Sequence, residues 1–210
     1  MIFSAQLKGL ALAMISSFEH GSVEPHYASV EIVDDRGFTA GIAGFTTGTG
    51  DALLVIRHYC NLCHQSDHHG FNVLQRSTRT FHQILHRKSV DICSFLPRLQ
   101  ELQDMYKNTG YTEPISNVSG LENYPDAWKS ACTDKRFLQA QEAIFNELYF
   151  QPSESLSLQL GLMFPISWVV MFDSFVQHGQ GGMDHLIAKA GPVDGIDSTD
   201  GTDSAKFGSE

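Results

Sequence analysis

Basic residues are scarce in this chain of 210 residues: 14 Lys+Arg stand against 24 Asp+Glu, a formal net charge of -10. That deficit argues against a nucleic-acid binder, which needs a cationic face to neutralise phosphates. It permits a cationic partner, because a cleft lined with one sign of charge concentrates the other. No apolar run approaches the roughly 20 residues that span a bilayer, so no membrane partner is expected. Cysteine is sparse as well. Cys60, Cys63, Cys93 and Cys132 are too few for a disulfide scaffold at this length. The segment Met1 to Lys8 lacks a basic region ahead of an unbroken apolar stretch, so no signal peptide is identified; an intracellular protein, a mature form and an incomplete gene start are the alternatives. No internal repeat is found. With 42% apolar and 18% charged residues the composition is globular rather than disordered, and the length suits one domain or two small lobes.

Leu7, Leu10, Ala11, Met14, Ile15 and Phe18 recur at helical spacing. Ser4 is the expected N-cap, and the helix should stop near Gly21 with Pro25 shortly after. His26 to Val33 and Phe38 to Ala43 read as two strands joined by the turn Asp34-Asp35-Arg36-Gly37. Thr46 to Gly50 is read as a loop, with Asp51 as N-cap of the next helix. Helical patterns recur from Phe95 to Met105, and at Phe137, Ala140, Gln141, Ile144, Phe145 and Leu148. Asn108 to Asn123 reads as a loop. Leu156 to Val176, interrupted by Pro165, is expected to be the buried central helix. From Gly191 on, the chain has almost nothing to bury, and residues 191–210 are expected to be a disordered tail.

Two carboxylates stand in contrasting settings. Glu19 ends an apolar helix directly after Phe18. Desolvation and the negative end of the helix dipole both disfavour its charged form, which suits a general acid. Asp34 lies in a polar turn beside Arg36, whose charge keeps it ionised, which suits a general base. Such a pair is what glycoside hydrolysis requires, although on spacing alone a Glu at a helix end is more often a solvated surface group.

Several strings in one order narrow the reading: Ser16-Ser17-Phe18-Glu19-His20-Gly21, His26-Tyr27, Asp34-Asp35-Arg36-Gly37-Phe38-Thr39-Ala40-Gly41 and Gly44-Phe45-Thr46-Thr47-Gly48-Thr49-Gly50-Asp51. Together they resemble the N-terminal signature of the family 46 chitosanases, endo-hydrolases of the lysozyme-like superfamily. Glu147 to Pro152 resembles the family's Tyr-Phe-x-Pro element. Met171-Phe172-Asp173 through Gly181 resembles its central helix and His-Gly turn. The resemblance implies a mainly α (α+β) fold, two helical lobes with a small antiparallel sheet at the substrate cleft, spanning residues 1–190. It implies Glu19 as acid and Asp34 as base, with inversion at the anomeric carbon. Thr39 would help hold the attacking water and Arg36 would orient the base. Asp51, Tyr27, Tyr149 and His178 would contact the sugar, and Asp173 would join a structural charge network. The implied partner is chitosan, a polycation whose sign agrees with the net charge; no cofactor, metal or nucleic acid is implied, and a monomer and an extracellular location are expected.

The chain departs from the family pattern in places. It is one residue shorter between Tyr27 and Arg36, which leaves Asp35 as an alternative base, with Asp34 favoured by its spacing to Arg36-Gly37. Residues 60–93 have no recognised counterpart, and a surface insertion, translated intron and a binding segment compete. Cys60-Asn61-Leu62-Cys63-His64 matches a c-type haem attachment string, and Cys63, His64, His68 and His69 offer zinc ligand types; a polar, His-rich loop is the plainer reading. The family's C-terminal part is expected to be missing, which could leave a chitosan-binding remnant without activity. Met14, Met163 and Met171 are expected in the core, Trp128 and Trp168 as packing anchors, and Glu31 facing solvent. Asn117-Val118-Ser119 matches a glycosylation acceptor, a triplet common by chance.

Overall fold

A computed structural model gives the fold and describes residues 5–34, 36–68, 91–109 and 118–191, with backbone alone at residues 5, 19, 20, 33, 34, 66–68 and 109. The expected α-rich architecture with a small antiparallel sheet is borne out. The elements are α1 (Ala5–His20), β1 (Val30–Asp34), β2 (Gly37–Ala40), β3 (Phe45–Thr46), α2 (Asp51–His68), α3 (Leu96–Thr109), α4 (Tyr124–Ala131), α5 (Lys135–Phe145), α6 (Gln151–Gln159) and α7 (Pro165–Ala190). A 3₁₀ turn, Ile92–Phe95, precedes α3, and a π-helical turn, Asn146–Phe150, follows α5. The chain divides into two compact units, Leu12–Glu147 and Met1–Ala11 with Leu148–Glu210.

The unit Leu12–Glu147 holds the sheet, in the order β1-β2-β3. The expected hairpin forms, with Glu31 opposite Thr39, Ile32 opposite Phe38 and Asp34 opposite Gly37; the register shifts between Ile32 and Asp34. That shift is a bulge, which adds local twist at the end of the strand. Gly37 takes φ +84, a conformation that a side chain disfavours, and so closes the turn. Thr46, expected to open a loop, instead ends β3, antiparallel to β2, with Thr39 opposite Thr46. Thr47 locks this junction: its N–H donates to Phe38 O at 2.9 Å and its Oγ1 accepts from Phe38 N at 3.0 Å.

Behind the sheet lies an aromatic core. Tyr124 stacks on Phe38 at 5.6 Å and meets the edge of Phe95, while Trp128 packs edge-on against Phe137 at 4.8 Å. Trp128 is fully buried, as expected of a packing anchor. Leu53 and Ile56 on α2 and Leu99 and Leu102 on α3 are fully buried, and the two helices are in contact. Glu31 faces solvent as expected.

Three expectations are corrected here. Phe18 is 77% exposed and Leu10 is also exposed, while Ala11 and Ile15 are buried, so the inward face of α1 is narrower than the periodicity suggested. The desolvation of Glu19 inferred from Phe18 therefore loses its support. Residues from Cys60 are not the start of a loop: α2 continues to His68, because Cys60 extends the buried face begun by Ala52, Leu53, Val55 and Ile56. Cys60 is bonded to Cys93 as a disulfide, with Cα atoms 6.2 Å apart, within the ordinary range.

The other unit is built on α6 and α7. Leu156 to Val176 is not one helix but two, separated at Leu160 to Phe164, with Gly161 at φ +66. Val169, Phe172 and Phe175 are buried on α7, with Phe150 tilted against Phe172 at 4.9 Å. The segment is not the buried helix expected, since Phe164, Ile166 and Val170 face outward. Met163, expected in the core, is 79% exposed, because it lies in the connection where no helix face turns it inward. Trp168 is partly buried, and its indole N–H donates to Leu162 O at 2.6 Å. The helix α7 is interrupted at Gly179, whose φ of 61 and ψ of -178 are not helical.

Candidate functional site

The hairpin and the first turn of α2 bring several of the expected residues together. Thr39 stands in the middle of β2, opposite Thr46 on β3. Side chains of directly paired residues share a face of the sheet. The Thr46 hydroxyl contacts the Thr49 hydroxyl, and Thr49 Oγ1 donates to Asp51 Oδ2 at 3.3 Å. A row of hydroxyls thus leads from β2 to a carboxylate. Thr39 Oγ1 is buried and makes no hydrogen bond among the described residues. A buried hydroxyl without a partner is costly and calls for one, such as water or ligand. Thr46 and Thr49 were not singled out from the sequence; the signal was the run of hydroxyl residues just ahead of Asp51.

Asp51 is the first residue of α2 rather than its cap, since the Leu54 N–H donates to Gly50 O at 3.1 Å. Gly50 accepts that role at φ +100, and a Cβ there would meet Gln103 Nε2 at 2.5 Å. Burial pushes the Asp51 carboxyl above its usual pKa, while the Thr49 hydroxyl and the Arg36 charge pull it back. Arg36 is exposed in the hairpin turn, and its carbonyl accepts from Gly48 N at 2.9 Å. Its charge reaches Asp51.

Glu19 lies in the last turn of α1, as expected, and Asp34 ends β1 opposite Gly37. Gly21, at φ +66, ends the helix by donating its N–H to Ser17 O at 3.0 Å. Ser16 is buried and donates to Glu24 O at 2.7 Å, which fixes the exit of the chain from α1. The side chains of Glu19 and Asp34 lie outside the described residues, as does Asp35 altogether.

Tyr27 is held at both ends. Its hydroxyl donates to Glu142 Oε1 at 2.6 Å, and its carbonyl accepts from Trp128 Nε1 at 2.9 Å. Burial, and then Glu142, push its phenol well above the usual range. Tyr27 also lines a shallow recess of about 390 Å³ with Pro25, Cys132 and Leu138. Glu142 went unnoticed in the sequence, because an acidic residue on the outer face of a helix looks like any solvated one.

Tyr149, Asp173 and His178 belong to the other unit. Tyr149 is buried in the π-helical turn, Asp173 is half-buried on α7, and His178 is exposed just before the break at Gly179. No ion pair joins Asp173 to another of the described residues.

The haem string loses one of its two thiols, since Cys60 is in the disulfide and only Cys63 is free. Burial pushes the Cys63 thiol up in pKa, with Tyr59 and Arg136 opposing. Among the described residues no three His, Cys, Asp or Glu side chains are grouped to hold a metal; His69, the His68 side chain and Asn117 lie outside them. No helix among them is long and apolar enough to cross a membrane.

Comparison with known proteins follows the same lines. The sequence profile of "Glycosyl hydrolase family 46" matches residues 13–91 and 86–207, and so takes in Cys60 to Asp91. The chain is 35% identical over 211 residues to a chitosanase of Bacillus subtilis (strain 168), covering 93% of this chain and 65% of that protein. It is 28% identical over 177 residues to a chitosanase of Streptomyces sp. (strain N174), covering 83% of this chain and 51% of that one. Among solved structures it resembles a complex of a Gynuella sunshinyii GH46 chitosanase with chitotetraose, at TM-score 0.68 and 32% identity over 89% of this chain and 66% of that one. A native chitosanase from Bacillus subtilis MY002 superposes at TM-score 0.64 and 33% identity, over 85% of this chain and 61% of that one. A mutant of the latter complexed with 6 GlcN gives the same values. The fold is thus the lysozyme-like one of these proteins, and the chain spans 65% of the length of the Bacillus (strain 168) relative.

Proposed function

Because the chain belongs to glycosyl hydrolase family 46, we propose that it cleaves β-1,4 linkages within chitosan chains, with inversion. The observation that carries the reading is the Asp51 carboxylate. It is largely buried and held by the Thr49 hydroxyl and the Arg36 charge against the cost of burial, and a glucosamine ammonium would add a second cation to it. The relatives crystallised with chitotetraose and with 6 GlcN support the same class of substrate.

In this mechanism Glu19 protonates the departing glycosidic oxygen. Its place at the negative end of α1 disfavours ionisation and keeps the proton available. Asp34 removes a proton from water on the opposite face of the sugar. Inversion needs room for that water, with carboxyls about 6.5–9.5 Å apart. Thr39 lies two residues along β2 from Gly37, the partner of Asp34, and its buried hydroxyl, which has no hydrogen bond among the described residues, takes the attacking water as its partner in this reading. Arg36 steadies Asp34 by charge while also acting on Asp51. Tyr27, Tyr149 and His178 are proposed as further sugar contacts, and Asp173 as a structural charge on α7. The disulfide supports an extracellular location, because such bonds persist in oxidising compartments.

Proton NMR of products from chitosan oligomers tests the proposal. Early appearance of the α-anomer from β-linkages supports inversion; the β-anomer first overturns it. Retention on chitosan without new reducing ends would replace hydrolysis with the binding-remnant reading, which the 65% span keeps in view.

A further inference from the structure

Gln141 is fully buried on α5, at a position that the helical period assigns to the core. A buried amide is costly unless its donor and acceptor are both used. Both are. Its Oε1 accepts from Ile42 N at 3.3 Å, and its Nε2 donates to Tyr27 O at 3.2 Å. Tyr27 precedes β1 and Ile42 follows β2. One side chain therefore ties together the two open ends of the hairpin whose closed end carries Asp34 and Arg36.

The surroundings are built for this contact. Gly41 takes φ +75, and a Cβ there would lie 2.3 Å from Gln141 Oε1 and 2.9 Å from Trp128 Cζ2. Glycine is thus required both by conformation and by the closeness of the amide. The Tyr27 carbonyl also accepts from the Cys132 thiol at 3.2 Å, and Gln141 Nε2 reaches Cys132 Sγ at 3.6 Å. Burial pushes that thiol up to about 11, against the Gln141 hydrogen bond, so it keeps its proton at neutral pH. Next to Gln141, Glu142 holds the Tyr27 hydroxyl. Two adjacent residues of α5 thus fix one tyrosine by its backbone and its ring.

We propose that Gln141 is a positioning residue for hydrolysis: its amide clamps the open ends of the β1–β2 hairpin and so holds Asp34 and Thr39 in place for the attacking water. The proposal rests on the hydrolase reading above. Its physical basis is that reacting groups displaced by about 1 Å can cost on the order of 100-fold in rate.

The test compares Gln141→Met, Gln141→Glu and Ile144→Ala. Ile144 is buried on the same helix and serves as a stability control. Q141M should lower kcat on chitosan oligomers by roughly 10- to 100-fold, with KM little changed. Ile144→Ala, compared at a matched loss of Tm, should leave kcat near wild type. In Q141E a protonated carboxyl can donate to Tyr27 O and accept from Ile42 N, whereas the carboxylate cannot donate. The ratio of Q141E to wild-type kcat should therefore rise as pH falls. With kcat corrected at each pH for the folded fraction read by circular dichroism, that recovery is a readout a merely structural role would not give, and it holds even if Q141M does not fold. An active wild type with a pH-independent Q141E ratio, or with Q141 variants no slower than I144A, overturns the role of Gln141 alone. An inactive wild type overturns the hydrolase reading and this role with it.

Discussion

The two units spend their apolar residues differently. In Leu12–Glu147 the aromatic side chains of Phe38, Phe95, Tyr124, Trp128 and Phe137 close on one another, and the buried Gln141 amide is tied to the backbone at Tyr27 and Ile42. In the unit that holds α6 and α7, Val169, Phe172 and Phe175 are buried, while Met163, Phe164, Ile166 and Val170 face outward. Hydrophobic composition alone would rank α7 as the better core element. The difference shows that burial follows from which side chains meet one another, not from how many apolar residues an element carries.

The contrast can be broken most severely at Trp128. Trp128→Ala should destabilise by about 3–5 kcal/mol, through the cavity and the lost donor to Tyr27 O. Urea denaturation checks this. Loss of the Cys60–Cys93 bond comes next. Cys93→Ser should cost about 2–4 kcal/mol for a closed segment of 33 residues, and a reductant should bring wild type to the same midpoint.

Acidification gives a smaller effect in the same unit. The Arg136 guanidinium, bonded to Asp134 Oδ2 at 2.5 Å, holds the Asp134 carboxyl below its usual pKa. The unfolded chain then takes up protons more readily than the folded one, so this contribution is present above the unfolded pKa and is lost as pH falls through the folded one. Asp51 works in the opposite sense. Its raised pKa makes the folded chain hold the proton longer, so stability falls as pH rises from the unfolded value through the folded one. Midpoints measured across the acid range should steepen toward loss at low pH in wild type and flatten in Asp134→Asn. The smallest effect belongs to the other unit. Val170→Gln on the outward face of α7 should change stability by less than about 0.5 kcal/mol, where a buried position would lose several times that.

Much of this was legible in the sequence where the signal was local. The spacing of Ala11 and Ile15, with Gly21 after them, fixed the end of α1 and hence the place of Glu19 in its last turn. β-branched residues around the Asp34 to Gly37 turn announced the hairpin. What escaped was non-local. The Cys60–Cys93 bond joins residues 33 apart across a stretch without a readable pattern. Gln141 stood among the core positions of α5 as one more periodic residue, yet its meaning lay in Tyr27 and Ile42, about a hundred residues away. β3 is two residues long, too short for alternation to show. The outward face of α7 was misread because an apolar run states what a segment prefers, not what covers it.

The account stands or falls on the two carboxylates. Turnover of chitosan oligomers by Glu19→Gln and Asp34→Asn, beside wild type and with folding checked by circular dichroism, tests it most directly. General acid–base roles predict that each variant keeps its fold and loses about 10²–10⁴ in kcat; near wild-type turnover by either one would contradict it.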